Sequence, residues 1–262
     1  MEAGKIIRFS ELYNREEPII VCPVDDTLIS GPVNGLENPL EKIKKILSVK
    51  PTAFLSFPGT ITRHAKDLNG IRIIVNLSVS TYRSLYTRKM LIGTIETALR
   101  LSASAVAVHV NVSSKYAGSM YKDAGFIIEQ AARYSMPVVG IMYPRGESDS
   151  SDVEEYDLLR KNEPKKFTQL IAHCVQIGVD LGVDLIKTQY LGEDQNYEAL
   201  LNVSNNTPIV IAGGPLVEED VAVSRAVNAI KRGVAGISFA RNVFGREDPC
   251  SFIKRIKKSI TQ

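Results

Sequence analysis

The sequence predicts an α/β protein of the (β/α)₈ barrel class, also called a TIM barrel, formed as a single domain over residues 1–262. Eight short apolar, β-branched runs recur along the chain, and segments with apolar residues three and four positions apart lie between most of them. The runs are continuously apolar rather than alternating, which is typical of parallel strands covered by helices on both faces. Eight such units in about 250 residues fit a closed barrel.

The eight candidate strands run from near the start of the chain to its last quarter. They are residues 19–24, 53–57, 72–77, 105–110, 137–142, 184–188, 208–212 and 236–240. The main alternative is a doubly wound open sheet. That architecture is disfavoured because the first candidate strand is followed by Asp25 and has no G-x-G-x-x-G turn entering a helix.

Three of the other segments carry clear helix signals. After Pro164 an apolar stripe is formed by Phe167, Leu170, Ile171, Cys174, Ile177 and Leu181. A second helix is predicted behind the acidic residues 218–220, which suit the positive end of a helix dipole. The third is terminal, with Asp248 as N-cap and Pro249 at the first position. Its basic run 254–258 is expected to be a solvated face, the alternative being a patch for a nucleic-acid backbone.

Residues 146–164, between the fifth strand and the Pro164 helix, form the most polar stretch of the chain. We expect a long, solvated loop after the fifth strand. The alternative is a lid over the site, because long loops at this end of a barrel often cover it.

The composition excludes several classes of protein. With 44% hydrophobic and 23% charged residues the chain is expected to be globular, and a net charge of +3 is too small to indicate nucleic acid as a partner. Three cysteines without C-x-x-C spacing suggest neither a disulfide framework nor a zinc site. We find no secretory signal and no apolar stretch of transmembrane length. The expected setting is therefore the cytoplasm, with no membrane partner.

The candidate catalytic residues lie at the ends of strands, where the chemistry of such barrels is found. Lys187 lies in an apolar strand. Desolvation lowers the pKa of a buried ammonium and so favours a neutral amine that can attack a carbonyl, although a structural salt bridge is the alternative. Asp25 is either the partner in that salt bridge or a proton-transfer group. Tyr143 is either a second proton-transfer group or a core tyrosine.

The last two strands end in residues that favour a phosphate. Gly213-Gly214 follows the seventh strand, and Ala240-Arg241 closes the eighth. Backbone amides exposed by glycines, together with a nearby arginine, make the phosphate site common in barrels. Combined with Lys187, they suggest a phosphorylated carbonyl substrate.

The three histidines have different expected environments. His64 lies in a polar stretch and is expected at the surface, whereas His173 lies beside an apolar stripe and is expected to be partly buried. His109 ends a strand, so its ring either contacts substrate or is locked by hydrogen bonds. No two histidines share ligand spacing with a carboxylate, so no metal is predicted.

The residues at the strand ends resemble the archaeal-type class I aldolases. The segments that carry the resemblance begin with Asp25 and Gly31-Pro32 and continue through residues 109–111, 143–146, 186–188, 212–215 and 241–244, in the family's order and spacing. Residues 30–36 and 142–146 are more similar to the 2-amino-3,7-dideoxy-D-threo-hept-6-ulosonate synthases than to fructose-bisphosphate aldolases. Asp26 stands where the family usually has histidine, and Ser113 where it often has glycine. A related synthase that uses dihydroxyacetone phosphate, on the route to an aminohydroxybenzoate, is therefore an alternative.

The resemblance implies a role for each group. Lys187 would form the Schiff base, Asp25 and Tyr143 would transfer protons, and the phosphate would contact Gly213, Gly214 and Arg241. Further substrate- or phosphate-binding residues are expected to be Ala240, Asp26, His109 and Arg145. The implied reaction joins a three-carbon unit from a phosphorylated keto sugar or triose phosphate to L-aspartate semialdehyde, without a cofactor and in a homo-oligomer. The alternatives are a fructose-bisphosphate aldolase and a non-catalytic barrel that binds a sugar phosphate.

Overall fold

Eight parallel strands close into a barrel in the structure, which is a computed structural model and describes residues 2–81, 86–146, 152–193 and 195–261. The barrel strands are β1 (Ile19–Val24), β2 (Ala53–Ser56), β3 (Arg72–Asn76), β6 (Ala105–Asn111), β7 (Val138–Tyr143), β8 (Leu185–Gln189), β9 (Ile209–Ala212) and β10 (Gly236–Ser238). Pairing of Ile19 with Gly236 joins β1 to β10 and closes the barrel. The short strands β4 (Ser78–Val79) and β5 (Met90–Leu91) form an antiparallel pair beside it. The predicted (β/α)₈ architecture is confirmed.

Helices surround the barrel strands and cover one end of the barrel. They are α1 (Ala3–Leu12), α2 (Asp26–Ser30), α3 (Pro39–Ser48), α4 (Pro58–Arg63), α5 (Ile95–Arg100), α6 (Ala117–Arg133), α7 (Asp152–Asn162), α8 (Pro164–Leu181), α9 (Tyr197–Ser204), α10 (Glu219–Lys231), α11 (Arg241–Phe244) and α12 (Pro249–Ile260). The three predicted helices correspond to α8, α10 and α12. In α12, Asp248 accepts hydrogen bonds from the amides of Cys250 and Ser251, at 3.0 and 3.1 Å, so the predicted cap is confirmed.

Side chains alternate along each strand between the barrel interior and the helix layer, because successive residues of a strand point to opposite faces. In β8, Leu185 belongs to the interior cluster and Ile186 to the cluster under the helices. In β7, Val139 and Ile141 are interior residues, and so is Tyr143. In each strand the next inward-facing side chain lies two residues farther along the chain and is therefore nearer the open end of the barrel.

Helix α1 was not predicted from the sequence. It packs at the end of the barrel where the strands begin. Leu12 is buried in the interior cluster with Ile19 and Val21, the first inward-facing residues of β1. Lys5 in α1 forms a 2.8 Å ion pair with Asp184, just before β8. The helix therefore closes the end of the barrel at which the strands begin.

Three predictions from sequence are wrong in this structure. His64 is buried, only 3% exposed, and its Nδ1 lies 3.2 Å from Asp67. His173 is exposed rather than partly buried, because it points away from the apolar stripe of α8. The polar stretch 146–164 is not a simple loop, since it contains α7; residues 147–151 of this stretch lie outside the described residues.

Other expectations about the whole chain have no structural test. A single domain over residues 1–262 and a homo-oligomer stay predictions. No helix in the described part of the chain combines the length and the apolar character needed to span a membrane.

Candidate active site

The inward-facing residues at the ends of the strands meet in one cavity at the open end of the barrel. Asp25 and Asp26 follow β1, His109 lies in β6, Tyr143 ends β7 and Lys187 lies in β8. The cavity is also lined by the remaining predicted site residues, which are Arg145, Gly213, Gly214, Ala240 and Arg241. All ten residues singled out from sequence thus line the same cavity.

Asp25 is buried and held by a neighbouring strand. Nδ2 of Asn76, the last residue of β3, donates a 2.8 Å hydrogen bond to Oδ2 of Asp25. The orientation of the Asn76 amide is fixed because its Oδ1 accepts from the backbone amide of Ser78 at 3.0 Å. The Asp25 carboxylate therefore has a defined position beside the cavity.

Lys187 is 6% exposed and faces the cavity from the middle of β8, where it pairs with Ile141 and Val210 of the adjacent strands. Within the described part of the chain, no carboxylate lies within 4.0 Å of its ammonium. The alternative of a structural salt bridge with Asp25 is therefore not what the structure shows. A buried amine without a counter-ion in contact is placed to react with a ligand in the cavity.

His109 packs against Tyr143 and is held by hydrogen bonds. The two rings meet edge to face with centroids 5.1 Å apart. Nε2 of His109 lies 2.9 Å from Oδ1 of Asn111, whose Nδ2 donates to the carbonyl of Thr87 at 2.8 Å. With the amide of Asn111 fixed in this way, Nε2 of His109 is assigned as the donor. The ring is thus locked by hydrogen bonds and lines the cavity, and its contact with substrate stays a prediction.

The charge state of His109 follows from these surroundings. Burial lowers the pKa of its imidazole well below the usual value, and the positive charges of Lys89, Arg145 and Lys187 lower it further. Its hydrogen bond to Asn111 acts in the opposite direction and is the smallest of these contributions. The ring is therefore neutral at physiological pH.

The turn after β9 presents backbone to the cavity. Gly214 has φ +71°, in the left-handed region that favours glycine. A Cβ on Gly213 would lie 2.9 Å from the ring of Phe239, so the close packing there requires glycine as well. Nδ2 of Asn242 donates to the carbonyls of Gly213 and Pro215, at 3.1 and 2.8 Å, and so fixes the turn. Ala240 and Arg241 lie at the adjacent strand end.

Asp26 and Arg145 lie at the rim of the cavity. Burial, and after it the adjacent Asp25, raise the pKa of the Asp26 carboxyl above its usual value, and the charges of Arg241, Lys187 and Arg145 offset this only in part. The guanidinium of Arg145 lies over two aromatic rings, 5.0 Å from the centroid of Tyr143 and 5.4 Å from that of Tyr86. These cation–π contacts position its charge.

Helices α7 and α10 contribute residues to the cavity that the sequence reading missed. Tyr156 is buried and donates to the carbonyl of Pro144 at 2.7 Å, which ties α7 to the end of β7. On the same helix Arg160 pairs with Asp157 at 2.7 Å. Nη1 of Arg225 in α10 donates to the carbonyl of Gly213 at 3.4 Å. Helix α7 therefore lies where the lid, the alternative prediction for residues 146–164, was expected.

The other missed residues have weak signals or none. Ser238 ends β10 and lines the cavity, and its buried hydroxyl has no hydrogen-bond partner among the described residues. Its place at a strand end could have indicated it. Arg225 had no such signal, because an arginine within an amphipathic helix usually belongs to a solvated face. The described residues include no group of three or more His, Cys, Asp or Glu side chains arranged to hold a metal ion.

Comparison with known proteins identifies the relatives of this chain. A family model described as DeoC/LacD family aldolase matches residues 19–246. A 2-amino-4,5-dihydroxy-6-oxo-7-(phosphonooxy)heptanoate synthase of Streptomyces griseus is 28% identical over 98% of this chain and 90% of its own length. The 2-amino-3,7-dideoxy-D-threo-hept-6-ulosonate synthase 1 of Archaeoglobus fulgidus is 29% identical over 97% of this chain and 89% of its own.

A solved structure supports the fold independently. The crystal structure of an archaeal fructose 1,6-bisphosphate aldolase superposes with a TM-score of 0.84 and covers 98% of this chain and 99% of that one. The two sequences are 21% identical, so this likeness concerns the fold.

Proposed function

Because the chain belongs to the DeoC/LacD family of aldolases, we propose that it joins a three-carbon unit from a phosphorylated keto donor to L-aspartate semialdehyde through a Schiff base on Lys187. The observation that carries this proposal is the buried lysine facing a cavity with Asp25, Tyr143 and a glycine turn around it. The two synthases at 28% and 29% identity support the choice of acceptor, since the names of both describe seven-carbon amino acid products.

In the first half of the proposed reaction, the side-chain nitrogen of Lys187 attacks the carbonyl carbon of the donor. The carbinolamine formed loses its oxygen as water and leaves an iminium, which acts as an electron sink. With a triose phosphate the carbon next to the iminium then loses a proton. With a keto-sugar phosphate the hydroxyl one carbon farther along loses its proton instead, and the bond between these two carbons breaks and releases an aldehyde. Either route leaves an enamine on Lys187.

In the second half, the enamine carbon attacks the aldehyde carbon of L-aspartate semialdehyde, and the new alkoxide takes up a proton. Water then attacks the iminium and releases the product from Lys187. Asp25 and Tyr143 are the proposed proton carriers, because both line the cavity with Lys187 and both side chains can give and take protons. Asn76 holds the carboxylate of Asp25 for this task.

The donor phosphate is proposed to lie at the turn of Gly213 and Gly214, near Arg241. Exposed backbone amides bind phosphate oxygens, and a guanidinium binds them with two parallel hydrogen bonds. Arg225 adds a second guanidinium at this turn, since its Nη1 lies 3.4 Å from the carbonyl oxygen of Gly213. Ala240 supplies backbone at the same edge. The phosphate thereby places the donor carbonyl over Lys187.

Borohydride reduction tests the chemistry of Lys187. With dihydroxyacetone phosphate present, one reduced donor adduct is expected, mapped by peptide mass to Lys187. The chain carries an internal control in Lys89, a second buried lysine, 2% exposed, that does not line the cavity and is expected to stay unmodified. A Lys187→Met variant that still forms the adduct, or an adduct on Lys89, would refute the mechanism.

The second candidate is fructose-bisphosphate aldolase, the activity named for a relative from Thermoproteus tenax that is 22% identical over 97% of this chain. The same cavity would then cleave fructose 1,6-bisphosphate into triose phosphates. Product analysis by mass separates the two activities when L-aspartate semialdehyde with a panel of keto donors is compared with fructose 1,6-bisphosphate alone. Sugar cleavage as fast as consumption of the semialdehyde would reverse the ranking.

A further inference from the structure

Asp26 lines the cavity but has no part in the proposed chemistry. It starts α2 directly after Asp25, and in the described part of the chain its carboxylate has neither a hydrogen-bond nor an ion-pair partner. Three cations act on it from across the cavity, those of Arg241, Lys187 and Arg145, and none lies within 4.0 Å. An acidic group held this way is placed to bind a cationic group of a ligand.

Arg145 provides the opposite charge nearby. Asp26 and Arg145 both line the main cavity and also a second recess beside it, which contains Val33 and Phe244. Both side chains thus border both cavities, as Arg241 does, and no ion pair within 4.0 Å joins Asp26 to Arg145. The other charged pair of the cavity, Asp157 with Arg160, is already joined at 2.7 Å.

The acceptor substrate accounts for this arrangement, given the proposed function on which the inference rests. The donor uses Lys187 for its carbonyl and the Gly213–Gly214 turn for its phosphate, so the acceptor must be held by other groups. An amino acid aldehyde carries an ammonium and a carboxylate on one carbon. We propose that Asp26 binds the α-ammonium and Arg145 the α-carboxylate of the acceptor, so that this pair selects an α-amino aldehyde.

Succinate semialdehyde provides the test, because it has the aldehyde and carboxylate of L-aspartate semialdehyde but lacks the ammonium. The wild type is expected to prefer the amino acid by kcat/KM, and Asp26→Asn to lose about ten- to a hundredfold of that preference, the range expected for a hydrogen bond between charged groups. Arg145→Gln is expected to lower kcat/KM for both acceptors, because both carry the carboxylate.

Asp157→Asn is the matched control, since Asp157 is another carboxylate of the same cavity and is paired with Arg160. It is expected to keep the preference. An unchanged preference in Asp26→Asn, or an equal loss in Asp157→Asn, would overturn the assignment.

Equilibrium binding gives a second measurement that does not depend on turnover. L-Homoserine and 4-hydroxybutyrate are the alcohols that correspond to the two acceptors, and each is titrated into wild type and Asp26→Asn. We expect tighter binding of L-homoserine by the wild type alone, and equal binding of the two alcohols by the wild type contradicts the inference.

Borohydride trapping of the donor distinguishes a failure of the role of Asp26 from a failure of the proposed function. A trapped donor without acceptor discrimination refutes only the role of Asp26, whereas no trapping refutes the proposed function.

Discussion

Replacing His109 with glutamine should make the protein less sensitive to acid. Burial lowers the pKa of His109 well below 6.5, so the folded chain holds this ring neutral while the unfolded chain takes up a proton below about pH 6.5. Stability is therefore lost as the pH falls through that value. The glutamine variant has no proton to take up at this position, while its amide can still donate to Asn111.

The magnitude follows from linkage between protonation and folding. Each pH unit below about 6.5 costs ~1.4 kcal/mol while the folded protein excludes the proton, so at pH 5 the wild type loses up to about 2 kcal/mol that the variant keeps. Unfolding entropy of about 2.1 cal/mol/K per residue converts this into about 4 °C of melting temperature for a chain of 262 residues.

Thermal melts followed by circular dichroism at pH 7.5 and pH 5 measure the effect. The glutamine variant is expected to melt below the wild type at pH 7.5, and the difference between the two melting temperatures should narrow at pH 5 by up to about 4 °C. His173→Gln is the control, because His173 is exposed and its replacement should leave the gap unchanged. The neutral buried ring would be refuted if the difference in melting temperature from the wild type narrowed equally for His109→Gln and His173→Gln, or did not change for His109→Gln.

Three further predictions concern packing and thiol chemistry. Gly236→Ala should abolish the folded barrel, because a Cβ there would lie 2.3 Å from a backbone carbonyl of β1, and soluble expression and melting temperature measure this. Gly59→Ala is the control, because the space around Gly59 is open, and it should stabilise the protein by about 0.4–1 kcal/mol. Phe252→Ala removes a fully buried ring of α12 and should cost about 3–5 kcal/mol in urea unfolding, with less than 1 kcal/mol contradicting the packing. Alkylation of the native protein should label Cys250 first, since burial raises the pKa of Cys22 to about 12, and early labelling of Cys22 would contradict this.

The barrel was predictable because its signals are local. Continuously apolar runs locate all eight strands, and the predicted and observed ends differ by at most two residues. The site followed from the same pattern, since residues at strand ends such as Asp25 and Lys187 meet only if the barrel closes. The same pattern also makes Ser238 an inward-facing residue of β10.

The features that were missed depend on contacts between distant segments. Helix α1 packs on strand beginnings that follow later in the chain, and Arg225 reaches the cavity from an outer helix. His64 looked solvated because its neighbours are polar, yet it is buried and contacts Asp67. His173 lies one residue from a buried position of α8, which is enough to turn its side chain outward. Local patterns do not encode these choices.

The position of α1 has a practical consequence for immobilising the enzyme. Leu12 and the Lys5–Asp184 ion pair hold this helix at the end of the barrel opposite the cavity. A tether attached at residue 2 therefore leaves the substrate entrance facing the solution when the protein is fixed to a bead or electrode. A tether on α7 would instead hold the support against the entrance.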